Sequence, residues 1–421
     1  MERGLVQSVL DGVDHEGVVR LTSDLVKVPS ITPNEAAVSA LLVRRLRALG
    51  FEVETYEVRG YNAPSRGRSN VVWRIRGTGE GPTLMFNGHL DTEPIAPGYD
   101  EIGEDPFSGD IRDDGHVYGL GTVNMKGGVA AFTYAIKALR DAGFQPKGDI
   151  IGAAVIGEIE AGMGTRFLIE CGVIPDMAIV AEPTTLRIRA AHACSIDLTV
   201  TIKGKPTHMA YADKGEHVLP KLVAFIESMG GFKITYDEAK YKGHLEPRWN
   251  IGYIHGGYEF RLGLFLDAVE LGISARGPWG VTPETVDKDF QAFLNDLRRR
   301  DPGLKISMSL LNPVPRWMPP YDISPREYVY GALQRAHREA TRQEVVIQAP
   351  TYGGTDAGTL RYVAGVPSIV YGPGGRAGPF TPPERVTIEE LTTAARVFAL
   401  AALDVGSRTW DEVRLHYKVP F

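Results

Sequence analysis

The chain has little cysteine, no surplus of positive charge and no long apolar run. Its two cysteines, Cys171 and Cys194, exclude a disulfide framework and a cysteine-rich zinc module, and they suit a reducing compartment. The formal net charge of -6 provides no basic field, so nucleic-acid binding is not expected. No window approaches about 18 uninterrupted apolar residues, and the first residues lack an apolar signal core. We therefore expect a cytoplasmic protein without a membrane span.

The remaining composition is typical of a globular chain with two or three domains, because 421 residues are 43% hydrophobic. Apolar strand patterns alternate with amphipathic helical patterns, which predicts a mostly parallel sheet flanked by helices. The strand patterns cover 51–58, 70–77, 83–91, 149–160 and 178–186. The helical patterns cover 5–13, 34–50 and 127–143. The predicted fold class is α/β.

From about Ala193 the pattern changes to β-α-β-β-α-β, which is the order of a ferredoxin-like sandwich. The chain then returns to helix, strand and helix, at 328–343, 365–375 and 388–403. This order predicts a small α+β domain inserted into a larger one. The expected boundaries are 1–192 for the first part of the larger domain, 193–311 for the insert and 312–421 for the second part.

The stretch LMFNGHLD, residues 84–91, is the strongest candidate for carrying chemistry. It is an apolar strand that ends in His89 and Asp91, and open α/β sheets place their sites at the carboxyl ends of strands. His89 is a candidate metal ligand, and Asp91 is a candidate for orienting the ring through its other nitrogen. A satisfied histidine at a strand end explains the triplet about as well, so the later motifs must decide.

Six segments, in order around the inserted sandwich, resemble the metal-dependent aminoacylase and carboxypeptidase family, which includes acetylornithine deacetylase and succinyl-diaminopimelate desuccinylase. They are FNGHLD, GLGTVNMKGG, GEIEAGMGT, AEPT, GGTDAGTL and YGPGG followed by FTPPERVTIEEL. The resemblance covers residues 15–405. It implies a zinc-peptidase-like sheet domain that carries the site, and an inserted lid domain that also makes a homodimer.

The family's usual site holds two zinc ions about 3.5–4 Å apart with a bridging carboxylate. Carried over by motif, the ligands of one ion become His89, Asn124 and Glu182, while those of the other become Asn124, Ile159 and Phe380. Isoleucine and phenylalanine offer no lone pair, and asparagine offers a neutral amide oxygen. The altered motif therefore predicts one divalent ion per site, with Mn²⁺ and Zn²⁺ both compatible.

Glu158 stands where the family has its general base, so the resemblance assigns it proton transfer from the attacking water to the leaving nitrogen. An ordinary acid at a strand end is the alternative. Glu160 would take the role if the alignment were shifted by two residues, but Gly162 and Gly164 favour Glu158.

The inserted domain supplies three further candidates. His208 in GKPTHMA matches a lid histidine that stabilises negative charge on substrate, and is assigned a catalytic role. Arg276 and Arg261 are candidates for binding a substrate carboxylate, although Arg261 replaces the family's usual asparagine. Asp356 in GGTDAG matches a family aspartate near the pocket, and helix capping explains it equally well.

A single-ion site suits a substrate that can itself delocalise the negative charge that forms when water adds to it. The specific expectation is hydrolytic deamination of 5-nitroanthranilate to 5-nitrosalicylate and ammonia, in which the para nitro group takes up that charge. The alternatives are amidase, aminoacylase or carboxypeptidase action on an N-acyl amino acid, and a non-catalytic binding protein derived from such an enzyme. In either enzymatic case the expected partner is a small-molecule carboxylate.

Overall fold

A computed structural model describes residues 3–59, 67–311, 317–375 and 382–418. Phe380, one of the replaced ligand positions, lies outside the described residues. The helices are α1 Arg3–Asp11, α2 His15–Val26, α3 Ala36–Ala48, α4 Gly98–Ile102, α5 Gly127–Asp141, α6 Met163–Glu170, α7 Val218–Met229, α8 Glu238–Tyr241, α9 Pro283–Arg300, α10 Tyr328–Thr341, α11 Asp356–Ala364, α12 Ile388–Gly406 and α13 Trp410–Lys418.

The described residues also form eighteen strands. They are β1 Val53–Glu57, β2 Ser69–Ile75, β3 Leu84–His89, β4 Ile111–Arg112, β5 His116–Tyr118, β6 Ile150–Val155, β7 Met177–Val180, β8 Ile188–Arg189, β9 Ala191–His192, β10 Cys194–Lys203, β11 Arg248–His255, β12 Ala268–Gly277, β13 Lys305–Leu310, β14 Trp317–Met318, β15 Tyr321–Asp322, β16 Ile347–Gln348, β17 Ser368–Val370 and β18 Arg385–Thr387. Among the described helices, none has the length and apolar character needed to cross a bilayer.

The chain divides into two compact units. Unit 1 contains Met1–Ala191, Tyr321–Ala349 and Thr355–Phe421, and unit 2 contains His192–Pro320 and Pro350–Gly354. Unit 2 includes the whole of the expected insert, 193–311, together with short segments on the carboxyl side of it. The finer domain boundaries stay a prediction.

An eight-stranded sheet forms the centre of unit 1, in the order β1-β2-β6-β3-β7-β17-β8-β16. Its middle strands are parallel, because β3 pairs with β6 on one side and with β7 on the other, and β7 pairs with β17. Antiparallel pairs lie towards the edges, at β1-β2 and β2-β6. The expected α/β class with a mostly parallel central sheet is confirmed.

Helix α5 packs closely against this sheet. A Cβ atom on Gly128 would come within 2.2 Å of the Ala181 carbonyl oxygen, so the paired glycines at the start of the helix permit a contact that any larger residue would prevent. Phe132 of α5 stacks on Trp73 and Phe86, at 5.6 and 5.9 Å between ring centroids. This packing fixes the start of α5 beside the carboxyl ends of the central strands.

Among the described residues, five helices of unit 1 were not predicted from the sequence patterns: α2, α4, α6, α11 and α13. Helix α2 begins after Asp14, whose side chain accepts a hydrogen bond from the Gly17 amide at 2.8 Å. Eight of its twelve residues are buried. Helix α11 begins at Asp356, inside the glycine-rich segment that favoured a loop.

Unit 2 has the expected β-α-β-β-α-β order. Its main strands lie in the order β11-β12-β10-β13, which is the arrangement of a ferredoxin-like sheet, and β14 adds to β10. Leu222 and Phe225 of α7 and Phe290 and Leu294 of α9 are buried in one core with the sheet. The apolar alternation along β10 places every second side chain in that core, which is why its strand pattern was readable from sequence.

Candidate metal centre

Three neighbouring strands of unit 1 deliver polar residues to one edge of the sheet. His89 is the last residue of β3, Glu158 follows β6 by three residues, and Glu182 follows β7 by two. Because β3 pairs in parallel with both β6 and β7, the three strand ends lie side by side. The sheet therefore brings together residues that are almost one hundred positions apart in the chain.

The His89 ring is held in one orientation by the backbone. Its Nδ1–H donates to the Asp91 carbonyl oxygen at 2.8 Å, which leaves Nε2 as the ligating nitrogen. Nε2 faces two oxygens, Asn124 Oδ1 at 3.1 Å and Glu182 Oε1 at 3.7 Å. A cation could bind here, because the two oxygens and the buried imidazole nitrogen all offer lone pairs.

Asp91 orients the ring through its carbonyl, and its carboxylate stands further away. The carboxylate Oδ1 lies 3.6 Å from His89 Nδ1, so the short contact to the ring comes from the backbone of Asp91. The other oxygen, Oδ2, accepts the Ile159 amide at 3.0 Å and the Thr32 hydroxyl at 3.4 Å. Asp91 thus links the ends of β3 and β6.

The donor atoms fit a divalent cation. His89, Glu158 and Glu182 each offer a ligand atom, and these atoms lie within 4.8 Å of one another. The Asn124 amide oxygen adds a neutral donor on the same side of the ring. One imidazole nitrogen with carboxylate and amide oxygens is a set that both Zn²⁺ and Mn²⁺ accept, so the residues present fit a metal ion.

Charge is concentrated in this pocket. Desolvation alone would lower the pKa of His89, but the charges of Asp91, Glu182 and Glu158 raise it to about 10. Desolvation raises the pKa of Glu182 and, by a larger amount, the pKa of Glu158, while His89 opposes both shifts. Without a cation, protons therefore neutralise part of the carboxylate charge, and a divalent ion would displace them.

Glu158 and Glu160 are clearly distinguished by their surroundings. Glu160 forms an ion pair with Arg68, whose fully buried guanidinium also pairs with Glu35. Glu158 instead stands with His89 and Glu182 in the candidate ligand group. The structure thus places Glu158, and not Glu160, beside the candidate ligands, close enough to act as a ligand itself.

The second set of family ligand positions has a different character. Ile159 contributes only its backbone amide, which donates to Asp91, and its side chain carries no donor atom. Asn124 keeps an oxygen near His89 but lacks the charge of a bridging carboxylate.

Asp356 belongs to this pocket, although sequence reasoning left its role open. Thr355 caps helix α11 by accepting the Ala357 amide, so capping does not require Asp356. The Asp356 side chain is only 1% exposed, and desolvation raises its pKa to about 7 despite the opposing charge of His89. The GGTDAG motif pointed to Asp356 as a pocket residue, but helix capping explained the aspartate equally well from the sequence alone.

The three candidates in the inserted domain all lie in unit 2. His208 is exposed and its ring accepts the Ala210 amide at 3.2 Å, at the start of a short 3-10 turn. Arg261 is exposed, and Arg276 is partly buried near the end of β12, where it donates to the Tyr352 carbonyl at 3.5 Å. Their roles towards substrate stay predictions.

Curated relatives are similar in sequence to this chain over much of its length. The chain is 26% identical over 413 residues to N-formyl-4-amino-5-aminomethyl-2-methylpyrimidine deformylase of Bacillus subtilis (strain 168), covering 91% of this chain and 93% of that protein. It is 28% identical over 286 residues to succinyl-diaminopimelate desuccinylase of Dechloromonas aromatica (strain RCB), covering 66% and 72%.

Solved structures share the fold. Human carnosine dipeptidase 1 superposes with a TM-score of 0.75 at 16% identity, covering 95% of this chain and 99% of that one. A Staphylococcus aureus tripeptidase superposes with a TM-score of 0.70 at 21% identity, covering 93% and 99%. The model of a family described as Peptidase family M20/M25/M40 matches residues 85–404, which is most of the chain. The chain belongs to this family and is a metal-dependent hydrolase of carbon–nitrogen bonds.

Proposed function

We propose that the protein works with one divalent ion per site and deaminates an electron-poor aromatic amine that carries a carboxylate. The specific reaction is the conversion of 5-nitroanthranilate and water to 5-nitrosalicylate and ammonia. One observation carries the proposal: His89 and Glu182 keep the two ligand positions that belong to one ion alone, while Ile159 offers no donor atom where the second ion needs a carboxylate.

When bound, the ion would supply a Lewis acid that lowers the pKa of water and polarises the electrophile. His89, Glu182 and Asn124 would hold it. Asp91 keeps the His89 ring in place through its carbonyl, so the ligating nitrogen does not have to be reoriented at each turnover.

Glu158 moves the proton. The attacking water forms a C–O bond at the amine-bearing ring carbon and gives its proton to the Glu158 carboxylate. The C–N bond then breaks, and the nitrogen receives that proton and leaves as ammonia. Desolvation raises the pKa of Glu158, which makes its carboxylate a stronger proton acceptor than an exposed one.

The electronic demand of the substrate explains why one ion could suffice. Addition to an amide carbonyl concentrates negative charge on one oxygen, and two ions can share that charge. Addition to a ring carbon para to a nitro group spreads the charge into the nitro oxygens, so less electrostatic stabilisation has to come from the site. A pocket that has lost donor atoms for one ion fits the second kind of substrate better.

Cleavage of an N-acyl amine is a second candidate, because the relatives are named as a deformylase and a desuccinylase. In this reaction water adds to the acyl carbon, Glu158 takes its proton, and the departing amine receives it. The same residues serve both reactions, so only the substrate distinguishes them.

The deciding experiment measures both products from the same purified protein. Ammonia release from 5-nitroanthranilate is compared with amine release from a panel of N-formyl, N-acetyl and N-succinyl amino acids. Glu158→Gln serves as the background for both assays. Deamination with at most background release from the N-acyl compounds is expected. Activity on N-acyl compounds alone would overturn the aromatic-amine proposal.

The assembly and the lid residues also enter as proposals. We propose a homodimer formed through unit 2, in which His208 stabilises charge on the substrate and Arg276 and Arg261 bind its carboxylate. Light scattering would test the dimer, with a monomer at micromolar concentration contradicting it. In the arginine variants we expect KM for the carboxylate substrate to rise, while a methyl ester substrate should be unaffected.

A further inference from the structure

Glu384, the acid of the TPPE motif, has no role in the chemistry described so far. It directly precedes β18, which pairs with β5 through Arg385 opposite Tyr118. The Gly119 amide donates to the Glu384 carbonyl at 2.9 Å, so this pairing continues to Glu384 itself. The side chain is 1% exposed and enters the turn that leads from β5 to helix α5.

One side-chain oxygen of Glu384 accepts hydrogen bonds from three backbone amides of that turn. Oε1 accepts the amides of Gly121 at 3.0 Å, Val123 at 2.8 Å and Asn124 at 3.2 Å. Successive amides that converge on one anion form a nest, which is usually filled by a ligand and is here filled by a side chain. The turn needs such an acceptor because its amides are buried and point the same way.

We infer that Glu384 is a positioning residue for the metal centre, acting through Asn124. The residue whose amide binds Glu384 also carries the side-chain oxygen that stands 3.1 Å from His89 Nε2. Fixing the amide fixes the backbone from which that oxygen projects. The inference rests on the proposed metal site, and the side-chain contacts of Glu384 are to backbone amides and not to the candidate ligand atoms.

A purely structural role for Glu384 is the competing explanation. Lys126 is fully buried, donates to the Leu25 and Val28 carbonyls, and has Glu384 as one of the charges that act on it. Glu384 would then serve only as its counter-charge. Two conservative substitutions separate the explanations. Glu384→Gln keeps the reach and an acceptor oxygen but loses the charge, whereas Glu384→Asp keeps the charge but shortens the reach.

The experiment titrates Mn²⁺ and Zn²⁺ into metal-free protein by calorimetry and measures the unfolding temperature of the same samples. We expect Glu384→Asp to weaken ion binding by about 10–100-fold, the usual effect of removing a group that orients a ligand. Glu384→Gln should keep most of the affinity. If Gln weakens binding as much as Asp does, or if Asp binds like the wild type, the inference is overturned.

Asp404→Asn provides a matched control. Asp404 is also a buried carboxylate, 2% exposed, and accepts the Tyr328 hydroxyl and the Arg335 guanidinium, each at 2.8 Å. Its substitution should lower the unfolding temperature and leave ion affinity unchanged. An equal loss of affinity in this control would show that any buried substitution weakens the site, and would overturn the inference.

A double-mutant cycle tests the route through Asn124. In an Asn124→Ala background, Glu384→Asp should cost no further affinity, because the oxygen that it positions is already gone. Additive losses would overturn the inference. The number of ions per wild-type chain is read from the same titration, so two ions would contradict the proposed function while the cycle still decides the role of Glu384.

Discussion

The two sides of the metal centre differ sharply in their chemistry. On one side, His89 and Glu182 present lone pairs to the same space, close to Glu158. On the other side, Ile159 turns a carboxylate position into an aliphatic side chain and keeps only its backbone contact to Asp91. Glu158 and Ile159 are neighbours after the same strand, β6, so the difference does not come from the fold.

Under the proposed one-ion site, the chain keeps His89 and Glu182 of one half of a two-ion site and lacks a side-chain ligand at Ile159 of the other half. Of the three altered positions, Ile159 and Phe380 belong to one ion alone and Asn124 belongs to both, whereas His89 and Glu182 are unchanged. The surrounding support is intact as well, since Asp91 holds the ring of His89 and Glu384 holds the turn that carries Asn124. The contrast can be tested by changing residues on each side.

The largest effect is expected at Glu158. Substituting Glu158→Gln removes the proton acceptor, and turnover should fall by about 10²–10⁴-fold, the usual contribution of a general base. The measurement is the steady-state rate at saturating metal. Glu160→Gln is the matched control, because Glu160 is tied to Arg68 and should affect the unfolding temperature more than the rate. Equal losses of rate in both variants would contradict the distinction between them.

Proton competition should give the next largest effect. The carboxylates that surround His89 raise its pKa to about 10, so an ion must displace a proton to bind. If one proton is displaced, affinity rises about tenfold per pH unit, or about 100-fold from pH 6 to pH 8. In the metal-free chain, the raised pKa of His89 also stabilises the folded state. This stabilisation is fully present below about pH 6.5, which is the pKa of histidine in the unfolded chain. That stability is lost as the pH rises through about 10.

Calorimetry in buffers of different ionisation enthalpy counts the protons released on binding. Release of one or more protons per ion at neutral pH agrees with the electrostatics of the pocket. Binding without proton release, at an affinity independent of pH, would show that His89 is already neutral before the ion arrives.

Asn124→Asp should strengthen ion binding on the side of the site that contains His89 and Glu182. A charged oxygen would replace the neutral amide oxygen that now lies 3.1 Å from His89 Nε2. We expect affinity for the single ion to rise about tenfold, because a carboxylate is a stronger ligand than an amide for these cations. The control is Asn87→Asp, which changes a buried asparagine on β3 that bonds to Thr165. Unchanged affinity in Asn124→Asp would mean that Asn124 does not contact the ion.

The smallest effect is expected on the altered side. Ile159→Ala leaves the backbone amide that donates to Asp91 and removes a side chain without donor atoms. Ion affinity should stay within about twofold, a change of under 0.5 kcal/mol and of the size expected away from critical contacts. A loss of tenfold or more would show that this side chain shapes the ion site after all.

Much of this site could be predicted from sequence because its residues follow strands with strong patterns. The buried runs that end at His89 and before Glu182 identified both the sheet and its functional edge. The motif order identified the family and gave Asn124 and Ile159 as the altered positions. In unit 2 the alternating β10 and the amphipathic α9 were equally readable.

The contacts that organise the site could not be predicted in the same way. The Asp91 carbonyl, not its carboxylate, orients His89, and a local pattern does not distinguish the two. Glu384 reaches a turn about 260 positions earlier in the chain, which depends on the pairing of β18 with β5. The ion pair that separates Glu160 from Glu158 likewise requires Arg68, which lies just before β2. Such long-range contacts appear only once the sheet is assembled.

The number of metal ions per chain tests the central claim most directly. Purified protein would be made active with Mn²⁺ or Zn²⁺, freed of excess ion and analysed for metal by elemental mass spectrometry, with activity measured on the same sample. One ion per chain in the fully active preparation is the predicted result. Two ions per chain would contradict the proposed one-ion site, because donors other than those at Asn124 and Ile159 would have to hold the second.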